Sequence, residues 1–181
     1  MQETGIVRRI DDLGRVVIPK EMRRTLRLRE GDPLEIYANK DQLVFKKYSP
    51  ISSIYDNAQA VADGIEELTK KVCIITDSDS IIYISKGKYK DFLGKNISID
   101  LENVLKERKS VIISKVDKES ILSITDSDDF QAENQIIVPI ISGGDCYGAI
   151  VVFDREKTNN STSELVKFVQ LGATFLSKNF D

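Results

Sequence analysis

The sequence contains no histidine, which removes the commonest general base and the commonest transition-metal ligand together. Ser-His-Asp and Cys-His catalysis are excluded with it. Only two cysteines occur, Cys73 and Cys146, far apart in the chain. They provide neither a structural zinc site nor a disulfide framework. Both lie in apolar surroundings, VCIIT and DCYGA, as free cysteines do when they pack as small hydrophobes; a redox switch is the alternative. No apolar run approaches the ~18 residues of a membrane span. The opening MQETGIVRRIDD lacks the basic-then-apolar layout of a secretion signal. Glycine-rich phosphate loops are missing too, since SGGD at 142–145 has no following Lys-Ser/Thr. The oxygen-rich TDSDS at 76–80 and TDSDD at 125–129 lack the glycine and distal glutamate of a calcium loop, and read as turns. The expectation is a cytoplasmic non-enzyme with no membrane partner, no metal and no identified cofactor.

Charge is where the chain is uneven. The protein carries a net −3 over 181 residues. Yet residues 1–50 hold eleven Lys/Arg against eight Asp/Glu, so the remainder must be net acidic. Between positions 8 and 29 stand Arg8, Arg9, Arg15, Lys20, Arg23, Arg24, Arg27 and Arg29, against Asp11, Asp12 and Glu21. Such asymmetry, with a linker-like KKYSP at 46–50, divides the chain into domains 1–50 and 51–181 with different partners. The basic half is the candidate for a polyanion.

Within that half, Thr4–Ile10 alternates as a strand, with Ile6, Arg8 and Ile10 on one face and Val7 and Arg9 on the other. DDLG is turn chemistry, and RVVI is a second short β-branched strand. Pro19 suits the start of a helix. PKEMRRTLRL then gives about two turns, with Met22, Thr25 and Leu26 inward and Lys20, Arg23, Arg24 and Arg27 outward. REGD closes the helix with a glycine, and PLEIYANKDQLVFKKY is a hairpin bending at NKD. A unit this small, without metal or disulfide, has too little interior to stand alone, so an obligate homodimer interleaving its hairpins is expected. A two-fold dimer presents the cationic block twice across one face, matched to the charge lattice of duplex DNA. The bland alternative is a solvated basic face, but like charges crowded at helical neighbours cost stability.

TGIVRRIDDLGRVVIPKEMRRTLRLREGDPLEIY resembles the swapped-hairpin DNA-binding domain of AbrB-type bacterial transition-state regulators, over nearly all of residues 4–48. The resemblance implies an intertwined dimeric β domain whose arginines grip DNA. Carried onto matching positions, these are Arg8, Arg15, Arg23 and Arg24, with Arg9 where the family also tends to be basic; Arg27 extends the patch in this chain. Such domains read shape and flexibility more than a base code, which implies degenerate, A·T-rich sites.

Ser49-Pro50 offers a helix cap and first residue. Ile54, Ala58, Val61, Ile65, Leu68 and Val72 then form a heptad-like stripe along a connecting helix at 51–71. Either the stripe packs on its own domain or it forms a coiled linker between subunits. KVCIITDSDSIIYIS gives two strands around a turn; KYKDFLGKNIS and IDLENVLKERKSV are short helices capped at Ser98 or Asp100; SILSI is a strand. NQIIVPIISGGDCYGAIVVFD is two apolar strands around SGGD. Ser161 and Glu164 have capping-box spacing for a last helix to about Lys178, with Leu165, Phe168, Val169, Phe175 and Leu176 on its apolar face.

That hairpin resembles the centre of a GAF domain, and the order of elements favours GAF over the related PAS fold. The resemblance implies an α+β chain overall: the β domain, then a GAF-like sensor with a central antiparallel sheet flanked by helices. GAF domains commonly hold a small molecule, and no signature here identifies one. The pairing of both halves resembles a family of sporulation transcription regulators, repressors and activators, of endospore-forming bacteria. It implies a nucleoid-associated protein of the developing spore compartment. Apolar stripes on both flanking helices favour a homotetramer. An antitoxin-like interaction module, which shares the N-terminal architecture, is the alternative; it would end in a short acidic disordered tail instead of a patterned domain.

Overall fold

The computed structural model describes residues 5–85, 87–114, 120–126, 131–155 and 163–180. The chain divides into two compact units, Met1–Tyr48 and Ser49–Asp181.

The first unit holds little regular structure. Helix α1 covers Lys20–Thr25, and strands β1 (Leu34–Asn39) and β2 (Gln42–Lys47) form one antiparallel hairpin. Lys40 takes the left-handed conformation at the bend, φ 53°, where the two-residue turn needs it. Residues 5–10 and 15–18, expected as strands, form no ladder. A strand exists only through a neighbour that takes its N–H and C=O groups, and among the described residues none lies beside these. The expected inward stripe of α1 is also unmet: Met22 is 37% and Leu26 60% exposed. Glycine does not close α1. Arg27 takes the left-handed position, φ 50°, and Leu28 N–H returns to the Arg23 carbonyl. Of residues 5–48 only Pro19 is buried.

The second unit is a three-layer sandwich around one sheet, with strand order β4-β3-β7-β6-β5, all antiparallel. The strands are β3 (Val72–Thr76), β4 (Ile81–Ile84), β5 (Val111–Ser114), β6 (Asn134–Ser142) and β7 (Asp145–Asp154). The long apolar runs follow from burial on both faces: along β3, Cys73 and Ile75 join one core while Val72 and Ile74 join the other. β7 divides likewise, Ile150 and Val152 against Val151 and Phe153.

One face is covered by α2 (Pro50–Ser53), α3 (Tyr55–Thr69) and α5 (Ser163–Ser177). The connecting helix is therefore two pieces, broken at Ile54. Ser49 caps the first, accepting from Ser52 N at 3.3 Å. Ala58, Ala62 and Ile65 are buried against the sheet, so the heptad-like stripe packs on its own unit; Leu68 is left 71% exposed and Val72 belongs to β3. α3 and α5 approach closely at Gly172, where a Cβ would come 2.8 Å from Val61 Cγ1. A mid-helix glycine, worth about 1 kcal/mol of helix propensity, is the residue that allows this contact.

The other face is covered by a 3-10 stretch, Gly87–Phe92, and by α4 (Ile99–Glu107). Ser98 is the cap of α4, accepting from Leu101 N at 3.1 Å. α4 ends at Arg108 in the left-handed region, and the residues after it form edge strand β5, which the helical reading through Val111 missed. SILSI is not a strand: Leu122 satisfies both backbone groups on the Gln135 side-chain amide, each bond 3.0 Å. Lys71, Asp154 and Asn134 tie the adjoining ends of β3, β7 and β6 through an ion pair and a hydrogen bond.

On α5, Leu165, Val169 and Leu176 are buried as expected, but Phe168 and Phe175 are 45% and 52% exposed. At 3.6 residues per turn they share the opposite side of the helix with Leu171. Ser161 of the expected capping box lies outside the described residues.

Candidate nucleic-acid interface

The cationic residues of the first unit sit on two segments. Arg8 and Arg9 are exposed on the extended stretch before residues 11–15, and Arg15 leaves that loop exposed. Lys20 begins α1, and Arg23 and Arg24 stand in its last turn, all three exposed. Arg27 follows in the left-handed position and is half-buried. Among the described residues no ion pair engages Arg8, Arg9, Lys20, Arg23 or Arg24. By contrast Lys47 is committed to Asp32 at 2.9 Å. Exposed, uncompensated guanidinium groups are the donor type that matches phosphate oxygens.

The loop between the two segments is built on Asp11. Its N–H donates to the Arg15 carbonyl at 3.1 Å and its carbonyl accepts from Gly14 N at 3.0 Å. Its carboxylate accepts from Leu13 N, Arg15 N and Arg15 Nε. The Arg15 bonds, backbone first, hold the Asp11 carboxyl below its usual range. Gly14 supplies the positive φ, 76°, that the reversal needs. The turn expected at DDLG is present, and its first aspartate also grips an arginine, which turn chemistry alone does not give. The spacing of Asp11, Gly14 and Arg15 was the available signal.

The same unit leaves its apolar side chains uncovered. Fourteen large ones between Ile6 and Tyr48 are exposed, among them Val7 at 89%, Val17 at 73% and Ile36 at 60%.

In the second unit, a groove of about 370 Å³ lies between α5 and the outer part of β6, lined by Pro139, Ile141, Gln170 and Thr174 among others. It carries no charged side chain. On the opposite face of the sheet the core contains the protein's own rings, Tyr89 standing edge-on to Phe153 at 5.2 Å. Asp77 of the TDSDS turn spends its carboxylate on Asp79 N and Ser80 N. Among the described residues no cluster of three or more acidic or cysteine side chains could hold a metal, and no helix is long and apolar enough to cross a membrane.

Residues 53–181 match the family model described as stage V sporulation protein T C-terminal, transcription factor. The stage V sporulation protein T of Bacillus subtilis is 42% identical over 182 aligned residues, covering all of this chain and 99% of its own. The chain belongs to the stage V sporulation protein T family. As a member it is a transcription factor and not an enzyme, with an AbrB-type first unit and a GAF-like second one. The transition state regulatory protein AbrB of the same organism is 58% identical over 50 residues, 28% of this chain and 52% of that protein. Residues 7–52 also match a family model described as antidote-toxin recognition MazE, bacterial antitoxin. That match ends at residue 52, four residues into the second unit, so the antitoxin alternative is not favoured against a relative aligned end to end. For the GAF-like fold, a solved neighbour is the GAF domain of an Acinetobacter phosphoenolpyruvate-protein phosphotransferase, with TM-score 0.58 and 14% identity, covering 74% of this chain and 82% of that one.

Proposed function

We propose that this chain regulates sporulation genes, repressing some and activating others, by gripping duplex DNA as a homodimer through Arg8, Arg9, Arg15, Lys20, Arg23, Arg24 and Arg27. The observation that carries the reading is a first unit that buries only Pro19 among its described residues while exposing both an apolar surface and the cations Arg8, Arg9, Lys20, Arg23 and Arg24, none of them engaged by an ion pair among the described residues. Apolar exposure on that scale is relieved by pairing with a second copy, and two-fold pairing doubles the cationic set. Residues 1–50 are the DNA-binding domain in this reading, and 51–181 the sensor and assembly domain joined through 51–71. Preference falls on degenerate, A·T-rich sites, because phosphate contacts position without specifying sequence and deformability supplies the selection. The protein works on the nucleoid, in the cytoplasm of the developing spore.

The test is a fluorescence-anisotropy titration of the full chain onto labelled A·T-rich and G·C-rich duplexes, beside the Arg23→Ala/Arg24→Ala protein. Binding lost in the double mutant supports the reading. No binding by the unaltered chain rejects it.

For the second unit, Phe168, Leu171 and Phe175 form an exposed stripe at i, i+3 and i+7 of α5. This stripe supports pairing of dimers into a tetramer. Sedimentation equilibrium of Phe168→Glu/Phe175→Glu should then give dimers, and an unchanged mass would remove the stripe from the assembly. A small molecule held by this unit would act on DNA binding through 51–71; equal DNA affinity with the unit intact or deleted would sink that coupling.

A further inference from the structure

Within the proposed DNA-binding set, the Arg15 side chain is held by an ion pair on the molecule's own surface: its Nε donates to Asp11 Oδ2 at 2.7 Å. The remaining polar atoms of Asp11 are equally committed. Oδ1 accepts from Leu13 N at 3.0 Å and Arg15 N at 2.8 Å, and the backbone closes the loop on both sides. The carboxylate is thus fixed by two rigid backbone donors on one oxygen, and the guanidinium hangs from the other. Because the grip is through Nε, it leaves the two terminal nitrogens of Arg15 for another partner. The side chain stays 69% exposed, in reach of one.

This geometry sets two effects of Asp11 against each other. As an anion on a surface meant for phosphate, it should repel DNA. As a clamp, it removes the rotamer freedom that a long side chain would otherwise lose on binding. We infer that Asp11 is a positioning residue for DNA binding, holding Arg15 with its terminal nitrogens directed at a phosphate, and that the clamp outweighs the repulsion. The inference rests on the DNA-binding reading above and names the device that pre-organises one of its contacts.

Asp11→Asn separates the two effects. The amide keeps an acceptor oxygen for Leu13 N and Arg15 N, so the loop survives, while its NH₂ replaces the oxygen that holds Arg15 Nε. The measurement is DNA affinity by anisotropy for the full chain, Asp11→Asn, Arg15→Ala and the double mutant, with circular dichroism and sedimentation confirming fold and assembly. Pre-organisation predicts that Asp11→Asn weakens binding roughly three- to tenfold per Arg15 contact, although it removes a negative charge, and that it has no further effect once Arg15 is alanine. Binding equal to or tighter than the unaltered chain overturns the inference, because repulsion then dominates. Weakening of equal size in the Arg15→Ala background also overturns it, because Asp11 then acts on the loop and not through Arg15. Should Arg15→Ala and Arg23→Ala/Arg24→Ala both bind as the unaltered chain does, the DNA-binding reading itself has failed, which is a separate result.

A second readout needs no variant at residue 11. In the ¹⁵N spectrum of the free full chain, the Arg15 Nε–H should exchange with water measurably more slowly than that of Arg8. Equal exchange rates would overturn the clamp independently of any mutant's folding.

Discussion

Removing Arg23 and Arg24 from the last turn of α1 should change how DNA affinity depends on salt, and the size of the change can be worked out. If, on the proposed reading, about four of the seven cations per subunit of a dimer touch phosphates, two of them Arg23 and Arg24, there are about eight contacts and log K should fall with log salt at a slope near −7. Between 50 and 200 mM salt the unaltered chain would then lose roughly 10⁴-fold in affinity. Arg23→Ala/Arg24→Ala leaves about four contacts and a slope near −3.6, so the same change costs only ~10²-fold. The two lines therefore converge as salt rises. Loss of fold is not a rival explanation of such convergence, since relieving adjacent like charges and adding alanine both favour an exposed helix. Anisotropy titrations at four or more salt concentrations provide the slopes. A mutant line displaced downward but parallel to the unaltered one would refute the reasoning, because those arginines would then act without releasing counterions.

Gly148→Ala should be severely destabilising, about 3 kcal/mol or more, since its Cβ would stand 1.9 Å from the Thr76 carbonyl oxygen on neighbouring β3; urea unfolding followed by circular dichroism checks it, and a loss under about 1 kcal/mol would show that β3 can move aside. Cys73 is fully buried, and burial foremost keeps its thiol protonated, whereas Cys146 is only half-buried. A thiol reagent should accordingly modify Cys146 alone in the native protein and both on denaturation. Tyr83 is pushed up to about 12, by burial first and then by its hydrogen bond to Asp63. A raised value means the folded state keeps this proton longer, so its stabilising contribution is complete below pH 10 and disappears as pH rises through about 12. Asp63→Asn should bring the Tyr83 step down in an ultraviolet alkaline titration, and an unmoved step would place the whole effect in burial.

Local chemistry made several elements legible in the chain. The SGGD hairpin, the TDSDS turn, the caps at Ser49 and Ser98 and the two-residue bend after Asn39 each rest on residues close in sequence. The cationic set of the candidate interface is readable for the same reason, being seven residues within one short block. What was not legible depends on partners distant in the chain. Leu122 has no strand because Gln135, thirteen residues on, takes its backbone groups. Asp11 looked like a turn residue until its second carboxylate oxygen was seen to hold Arg15.

Composition and the order of residues alone exclude histidine chemistry and mark a basic first part and an apolar-patterned second part. Only tertiary structure decided which apolar faces are covered. Residues 5–10 of the alternating stripe are without a ladder, and Phe168 and Phe175 turn away from a sheet already filled by Leu165, Val169 and Leu176. Hydrophobicity states that a side chain should be buried; the packing of the molecule states against what.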